Sequence, residues 1–213
     1  MQLNFDRERN LHLPFVTPIA TFLLPNAAEI NRALEPAILE REAKDTGLQI
    51  SNVGGWHSGA DLLSWPEVRL TDLEESLDSS VRHLLAFDSR IEKFSADIKL
   101  RAWANVNRAG DFNAFHSHPN QHWSGVYYVR AGDYGGDRHP HAGHIELIDP
   151  RGCINNFSYP GRNQFGSSVK FAPRDGMLLL FPSWLQHYVN PFVSDTLRIS
   201  LAFNARIESF EAS

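Results

Sequence analysis

The chain has 213 residues, 42% hydrophobic and 11% aromatic, enough to bury a sizeable apolar core without disulfide staples. The net charge is -5 and its cations are scattered, so no basic stripe points to a nucleic-acid partner. Cys153 is the sole cysteine and excludes an intrachain disulfide; no apolar run approaches the roughly 20 residues of a membrane span.

Taken in chain order, the sequence opens with charges at Asp6, Arg7, Glu8 and Arg9 where a secretory signal would be apolar, so a cytoplasmic protein is expected. Pro25 and Asn26 open a helix reaching about Glu42, with Ile30, Leu34, Ile38 and Leu39 on one face, Asn26 as N-cap and Gly47 as stop. Residues 47–59 read as loop. A second helix is expected from Thr71 to Phe87, with Leu73, Leu77, Val81, Leu84 and Leu85 on its apolar face and a Thr71/Glu74 capping box.

From Ile98 the periodicity changes to that of strands. Residues 99–107 alternate as a half-buried strand should. Further strands are expected near 112–118, 122–130, 143–149, 166–171, 176–181, 185–189 and 196–205, separated by Gly-, Asp- and Pro-rich breakers. Many short strands with turn-rich connections indicate a mainly β fold with N-terminal helices. We read it as a double-stranded β-helix (jelly roll) whose helices pack on the major sheet. The whole chain, 1–213, is expected to form a single domain, with a helical part over 1–95 and a jelly-roll core over 96–206.

The densest cluster of chemistry is His116-Ser117-His118-Pro119, at the end of an expected strand. Residues i and i+2 of a strand project to one side, so His116 and His118 can share one cation. His187, just past the turn after the apolar run 177–181, is the best third ligand. Three ligands leave coordination positions open, as catalytic metal sites require and closed structural sites do not. Asp111 and Glu146 are fallback carboxylate ligands. Downstream, Arg198 lies in a strand of apolar neighbours, where burial is costly unless it meets an anion, and its planar fork suits a carboxylate. Ser200, two residues on, faces the same way. A structural ion pair of Arg198 with Glu146 is the bland alternative.

This layout (His, a second ligand two residues on, a distal His, then an arginine about ten residues later in an Arg-x-Ser pattern) resembles that of iron(II)- and 2-oxoglutarate-dependent oxygenases. Gly125-Val126-Tyr127-Tyr128-Val129 is similar to the strand after the first ligand motif in their prolyl-hydroxylase-like branch. The chain resembles more closely still a bacterial and phage branch of these oxygenases, through residues 51–58, 116–119, 124–129, 149–151, 181–187 and 198–204. The resemblance implies Fe(II) on His116 and His187, and 2-oxoglutarate held by Arg198 with Tyr128 and Ser200. One departure stands out: the second ligand position, usually an acid, is His118. A neutral imidazole there leaves the bare iron site at charge +2 instead of +1.

The expected activity is therefore C–H hydroxylation coupled to decarboxylation of 2-oxoglutarate to succinate, on a small-molecule or peptide substrate, with no nucleic-acid or membrane partner. Two rivals remain: a three-histidine, cupin-like dioxygenase that binds its organic substrate on the metal without 2-oxoglutarate, and a non-catalytic metal-binding jelly roll. His122 is a candidate metal neighbour but reads better as a rim residue. His139, His141 and His144 read as a solvated loop. Asn105 and Asn107 alternate on one strand face, where an amide can meet a bound carboxylate or simply serve the strand. Phe157, Tyr159 and Phe165 suit a lid or a homodimer interface equally.

Overall fold

The computed structural model describes residues 16–66, 70–133, 136, 139–151 and 167–212. Met1–Phe15, Cys153 and the aromatic residues Phe157, Tyr159 and Phe165 lie outside the described residues.

Two antiparallel sheets face each other. The larger is six-stranded and joins β1 (Ala20–Leu23), β9 (Met177–Pro182), β6 (Trp123–Arg130), β11 (Arg198–Ala212), β4 (Phe94–Asn107) and β3 (Trp56–His57), in that order. The smaller is five-stranded, in the order β2 (Asn52–Val53), β5 (Phe112–His116), β10 (His187–Val189), β7 (Ile145–Ile148) and β8 (Ser168–Phe171). This is the jelly roll expected from the strand spacing, with every expected strand from 98 onward present.

The helices pack where the periodicity sends them. Helix α1 (Ala27–Glu42) buries Ile30, Leu34 and Ile38, and α2 (Thr71–Ser89) buries Leu73, Leu77, Val81 and Leu84. These side chains share one apolar cluster with Ala102, Ala104, Leu178, Leu180, Leu201 and Phe203, which come from alternate positions on one face of the major sheet. The other alternate positions turn inward. Val126, Tyr128, Leu179 and Phe181 meet Ile145 and Leu147 of the minor sheet in a second apolar cluster. The two adjacent tyrosines therefore part company. Tyr127 lies on the helix face and donates to Asn31 Oδ1 at 2.7 Å, whereas Tyr128 lies between the sheets.

Three local expectations change. Asn26 occupies the N-cap of α1 without a side-chain capping bond, and α2 is capped at Leu70, so the Thr71/Glu74 box does not form. Helix α2 also extends to Ser89 and ends on Arg90 in the left-handed conformation, φ 58°. Residues 47–59 are not all loop. They contribute β2 and β3, joined across Gly54 and Gly55 at φ 66° and 61°, a turn where a Cβ on Gly54 would collide with Asp111. Two-residue strands carry no readable alternation, and the amide of Asn52 rather than periodicity organises this segment, donating to backbone carbonyls of Leu48 and Gly55. The first 95 residues thus supply β1 and β3 to the major sheet and β2 to the minor one.

Candidate metal centre

β5 and β10 are paired antiparallel with His116 opposite His187, so the register alone brings two imidazoles side by side on the inward face. His118 lies two residues beyond the end of β5, yet the chain stays tethered there because its N–H donates to Ser183 O at 2.9 Å in the turn before β10. The following turn at Pro119-Asn120 closes with Asn120 in the left-handed region, φ 65°, which asparagine tolerates. The ring centroids of His116, His118 and His187 are 4.3 to 5.2 Å apart. One nitrogen from each lies within 4.8 Å of the others, and among the described residues this is the one group of three that could hold a metal ion.

The protonation of the three rings suits coordination. His116 Nδ1 lies 2.6 Å from Ala114 O, and His187 Nδ1 lies 2.8 Å from Leu185 O. A carbonyl only accepts, so Nδ1 carries the proton in both and Nε2 keeps its lone pair for a cation. Burial, reinforced by the neighbouring His116, lowers the pKa of His118 to about 4 and that of His187 to about 3. Burial lowers His116 as well. All three are neutral imidazoles at pH 7, the ligand form. Three nitrogen donors with an open side fit a divalent first-row metal such as Fe(II).

Neither fallback carboxylate reaches this centre. Asp111 accepts from Arg108 N at 2.7 Å beside the Gly54 turn. Glu146 points out of the minor sheet, pairs with Lys170 Nζ at 3.0 Å and accepts from Ser168 and Tyr188, so it is not the partner of Arg198 either. His122 is exposed and its Nδ1 accepts from Ile207 N at 3.1 Å, a rim position. His141 and His144 pair at 5.4 Å in the 139–144 loop, apart from the three-histidine group.

The major sheet supplies the facing wall. Arg198 is 1% exposed, and its Nη1 donates to Asn107 Oδ1 at 3.1 Å and to Ser200 Oγ at 3.3 Å, with the guanidinium carbon 5.2 Å from the Tyr128 ring centre. The structure thus brings together Arg198, Ser200 and Tyr128, and adds Asn107. Register explains the gathering, since Arg198 pairs with Asn107, and Ser200 pairs with both Asn105 and Tyr128. The Asn105 amide oxygen, on the same face, is buried with no hydrogen-bond partner among the described residues.

The residue that sequence reasoning passed over is His57. Its strand pairs His57 with Asn105, which turns the ring onto the inward face, where it stacks on Trp103 at 5.6 Å and 15°. Trp103 in turn lies 5.8 Å from His118. His57 is 4% exposed, its Nδ1 is bonded to Ser58 O at 2.7 Å, and burial lowers its pKa. Its placement depends on pairing across roughly 50 residues of sequence, so the one local signal was its position beside Trp56 in the Gly54-Gly55 segment.

Comparison with known proteins places this architecture. Solved structures with the same fold include a Pseudomonas putida prolyl-4-hydroxylase, 18% identical with a TM-score of 0.59 over 88% of this chain and 91% of that one. HygX from Streptomyces hygroscopicus, solved with nickel and 2-oxoglutarate bound, is 12% identical with a TM-score of 0.57, covering 89% and 83%. A Trichoplax adhaerens prolyl hydroxylase in complex with a hypoxia inducible factor peptide is 15% identical with a TM-score of 0.55, covering 88% and 83%. No curated protein matches the chain in sequence. Residues 101–204, which hold all three histidines, Tyr128, Arg198 and Ser200, match the family model described as "Putative 2OG-Fe(II) oxygenase". Through that segment, just under half of its length, the chain is similar to the 2OG-Fe(II) oxygenase family.

Proposed function

We propose that the chain is a 2-oxoglutarate-dependent oxygenase whose iron is held by His116, His118 and His187, and whose co-substrate is anchored by Arg198, Ser200 and Tyr128. The observation that carries the reading is the convergence of three neutral imidazoles within 4.8 Å at the minor sheet, facing a major sheet that carries a buried arginine. Bound Fe(II) and 2-oxoglutarate together supply oxidative C–H chemistry, with 2-oxoglutarate ending as succinate; that chemistry belongs to the cofactor pair.

The chain's own residues do the rest. The carbonyls of Ala114 and Leu185 set the tautomers of two ligands. Arg198 offers a planar fork that matches a carboxylate in two parallel hydrogen bonds, and Ser200 and the Tyr128 hydroxyl add donors on the same sheet face. Phe181 against His187, at 4.8 Å, and Trp103 against His118 keep water from the flanks of the metal. His118 replaces a carboxylate with a neutral ligand, so the bare iron site carries charge +2. Two anionic oxygens of an incoming 2-oxoglutarate would meet that charge and the Arg198 guanidinium together. The expected substrate is a small molecule or a peptide.

The test is turnover. Protein reconstituted with Fe(II) is expected to consume oxygen and convert 2-oxoglutarate to succinate, and Arg198→Leu is expected to lose this while retaining stoichiometric metal. Oxygen uptake that ignores 2-oxoglutarate would instead support a three-histidine enzyme that binds its substrate on the metal.

A further inference from the structure

β4 and β11 run past the metal centre as a long ribbon, and their paired residues assign a face to each side chain. Trp103 pairs with Ala202, Arg101 with Asn204 and Lys99 with Arg206, so these alternate positions continue the inward face that carries Arg198 and Ser200. The intervening residues Leu100, Ile98 and Ile207 lie on the opposite face and pack against the helix-side core. The inward face therefore changes character along its length. Beside the metal it is aromatic, with half-buried Trp103 next to His118. One and two alternate positions further out it is cationic and exposed, with Arg101, Lys99 and Arg206.

Glu208 answers part of this charge, at 3.7 Å from Lys99 and 3.1 Å from Arg206. Arg101 makes no ion pair among the described residues, and Asn204, beside it, accepts from Ser124 Oγ at 2.7 Å. One position beyond Lys99 the face turns acidic with Asp97, so the cationic stretch is two rows deep, about 7 Å along the strand. That is the footprint of one oxyanion group, not of a polyanion.

We infer that this stretch is a substrate-recognition site: the primary substrate is a small molecule bearing a terminal oxyanion, held by Arg101 with Lys99 and Arg206, while its body lies along Trp103 toward the metal. The inference rests on the proposed metal and co-substrate roles for its direction, since it places the substrate's anion at the end of the inward face away from Arg198. Arg198 and Asn204, the partner of Arg101, stand about 20 Å apart along β11, six residues at roughly 3.4 Å each, and Trp103 with the adjacent His118 falls between the two arginines. The site would select for an anionic group on the order of 10 Å from the reacting carbon.

The test uses phenyl phosphate and benzoate as probes, with phenol as the neutral control, titrated into protein loaded with Mn(II) and 2-oxoglutarate. Calorimetry gives affinity, and paramagnetic relaxation of the phosphorus nucleus gives its distance from manganese against a zinc-loaded reference. At least one anionic probe is expected to bind where phenol does not, and to weaken at least ten-fold in Arg101→Ala and further in Lys99→Ala/Arg206→Ala. Phosphorus is expected on the order of 10 Å from the metal, and whichever of the two probes binds more tightly identifies the oxyanion as phosphate or carboxylate. Absence of binding by both anions, equal affinity in Arg101→Ala, or phosphorus at coordination distance from manganese would overturn the inference. Should manganese fail to load, its electron-spin-resonance signal reveals that separately, and a calorimetric titration with 2-oxoglutarate reveals failure of the co-substrate to bind. The Arg101 dependence is then still read by calorimetry on the metal-free protein.

Discussion

Two arginines on one face of the major sheet experience opposite environments. Arg198 is 1% exposed, hydrogen-bonded to Asn107 and Ser200 and close to the Tyr128 ring. Arg101, reached from it by three steps along the same inward face, is exposed. Burial makes the first a committed site, because a guanidinium taken out of water is stable only where fixed acceptors meet it, and a ligand that binds there must bring the right geometry. Exposure makes the second a weaker, screened attraction suited to a substrate that comes and goes. The same chemical group thus suits the co-substrate role proposed for Arg198 where it is buried and the substrate role inferred for Arg101 where it is exposed.

The most damaging change lies between the two ends. His187→Ala removes the most buried ligand and is expected to lower metal affinity at least 100-fold and abolish turnover; metal content after gel filtration measures it. Next, Arg198→Leu removes the cation proposed to pair with the 2-oxoglutarate carboxylate, a loss that costs ~2–5 kcal/mol of binding. The Michaelis constant for 2-oxoglutarate is expected to rise about 30-fold or more with metal content unchanged; a rise under threefold would remove the contrast between the two arginines. Tyr128→Phe takes away one hydroxyl donor and is expected to weaken 2-oxoglutarate binding by ~1 kcal/mol, about five-fold. Salt sharpens the comparison with a smaller effect. Raising ionic strength from about 0.05 to 0.5 M is expected to weaken anionic probes at Arg101 several-fold and 2-oxoglutarate at Arg198 less than two-fold.

The outer face of the minor sheet supplies a pH signature separate from both ends. Burial of Glu146 opposes its charge, but hydrogen bonds from Ser168, Tyr188, Lys170 and Asn190 outweigh that and lower its pKa from 4.5 to about 2. A depressed carboxylate contributes stability that is fully present above its unfolded value and is lost as pH falls through the folded one. Thermal stability is therefore expected to decline between about pH 4.5 and pH 2, with a shallower slope in Glu146→Gln. An unchanged slope in that variant would show that the network does not hold the charge.

What was legible in the sequence follows from range. The apolar faces of both helices and the alternation from residue 98 onward are local, and each was readable with near-correct bounds. His116 and His118 were readable because they are two apart, although β5 ends at His116 and a bond from His118 to Ser183 completes what strand periodicity alone was expected to do. The choice of Tyr128 over Tyr127 needed only alternation and the family resemblance. His57 and the 52–57 strands were not readable, since they exist through pairing with β4 and β5, far away in sequence. Glu146 illustrates the reverse error: an acid on the strand paired with β10 reads as a fallback metal ligand or a partner for Arg198, but strand parity turns it outward. Arg101 carried no signal of its own, because an arginine on an alternating strand reads as solvated until the register shows which face it shares.

The most direct test of the central claim is anaerobic addition of Fe(II) and then 2-oxoglutarate to metal-free protein, followed in the visible. A metal-to-ligand charge-transfer band that needs both additions, and is lost in His187→Ala and in Arg198→Leu, is the predicted result. Stoichiometric iron bound by the three histidines with no band on adding 2-oxoglutarate would contradict it, and would leave the buried arginine to be explained by some other anion.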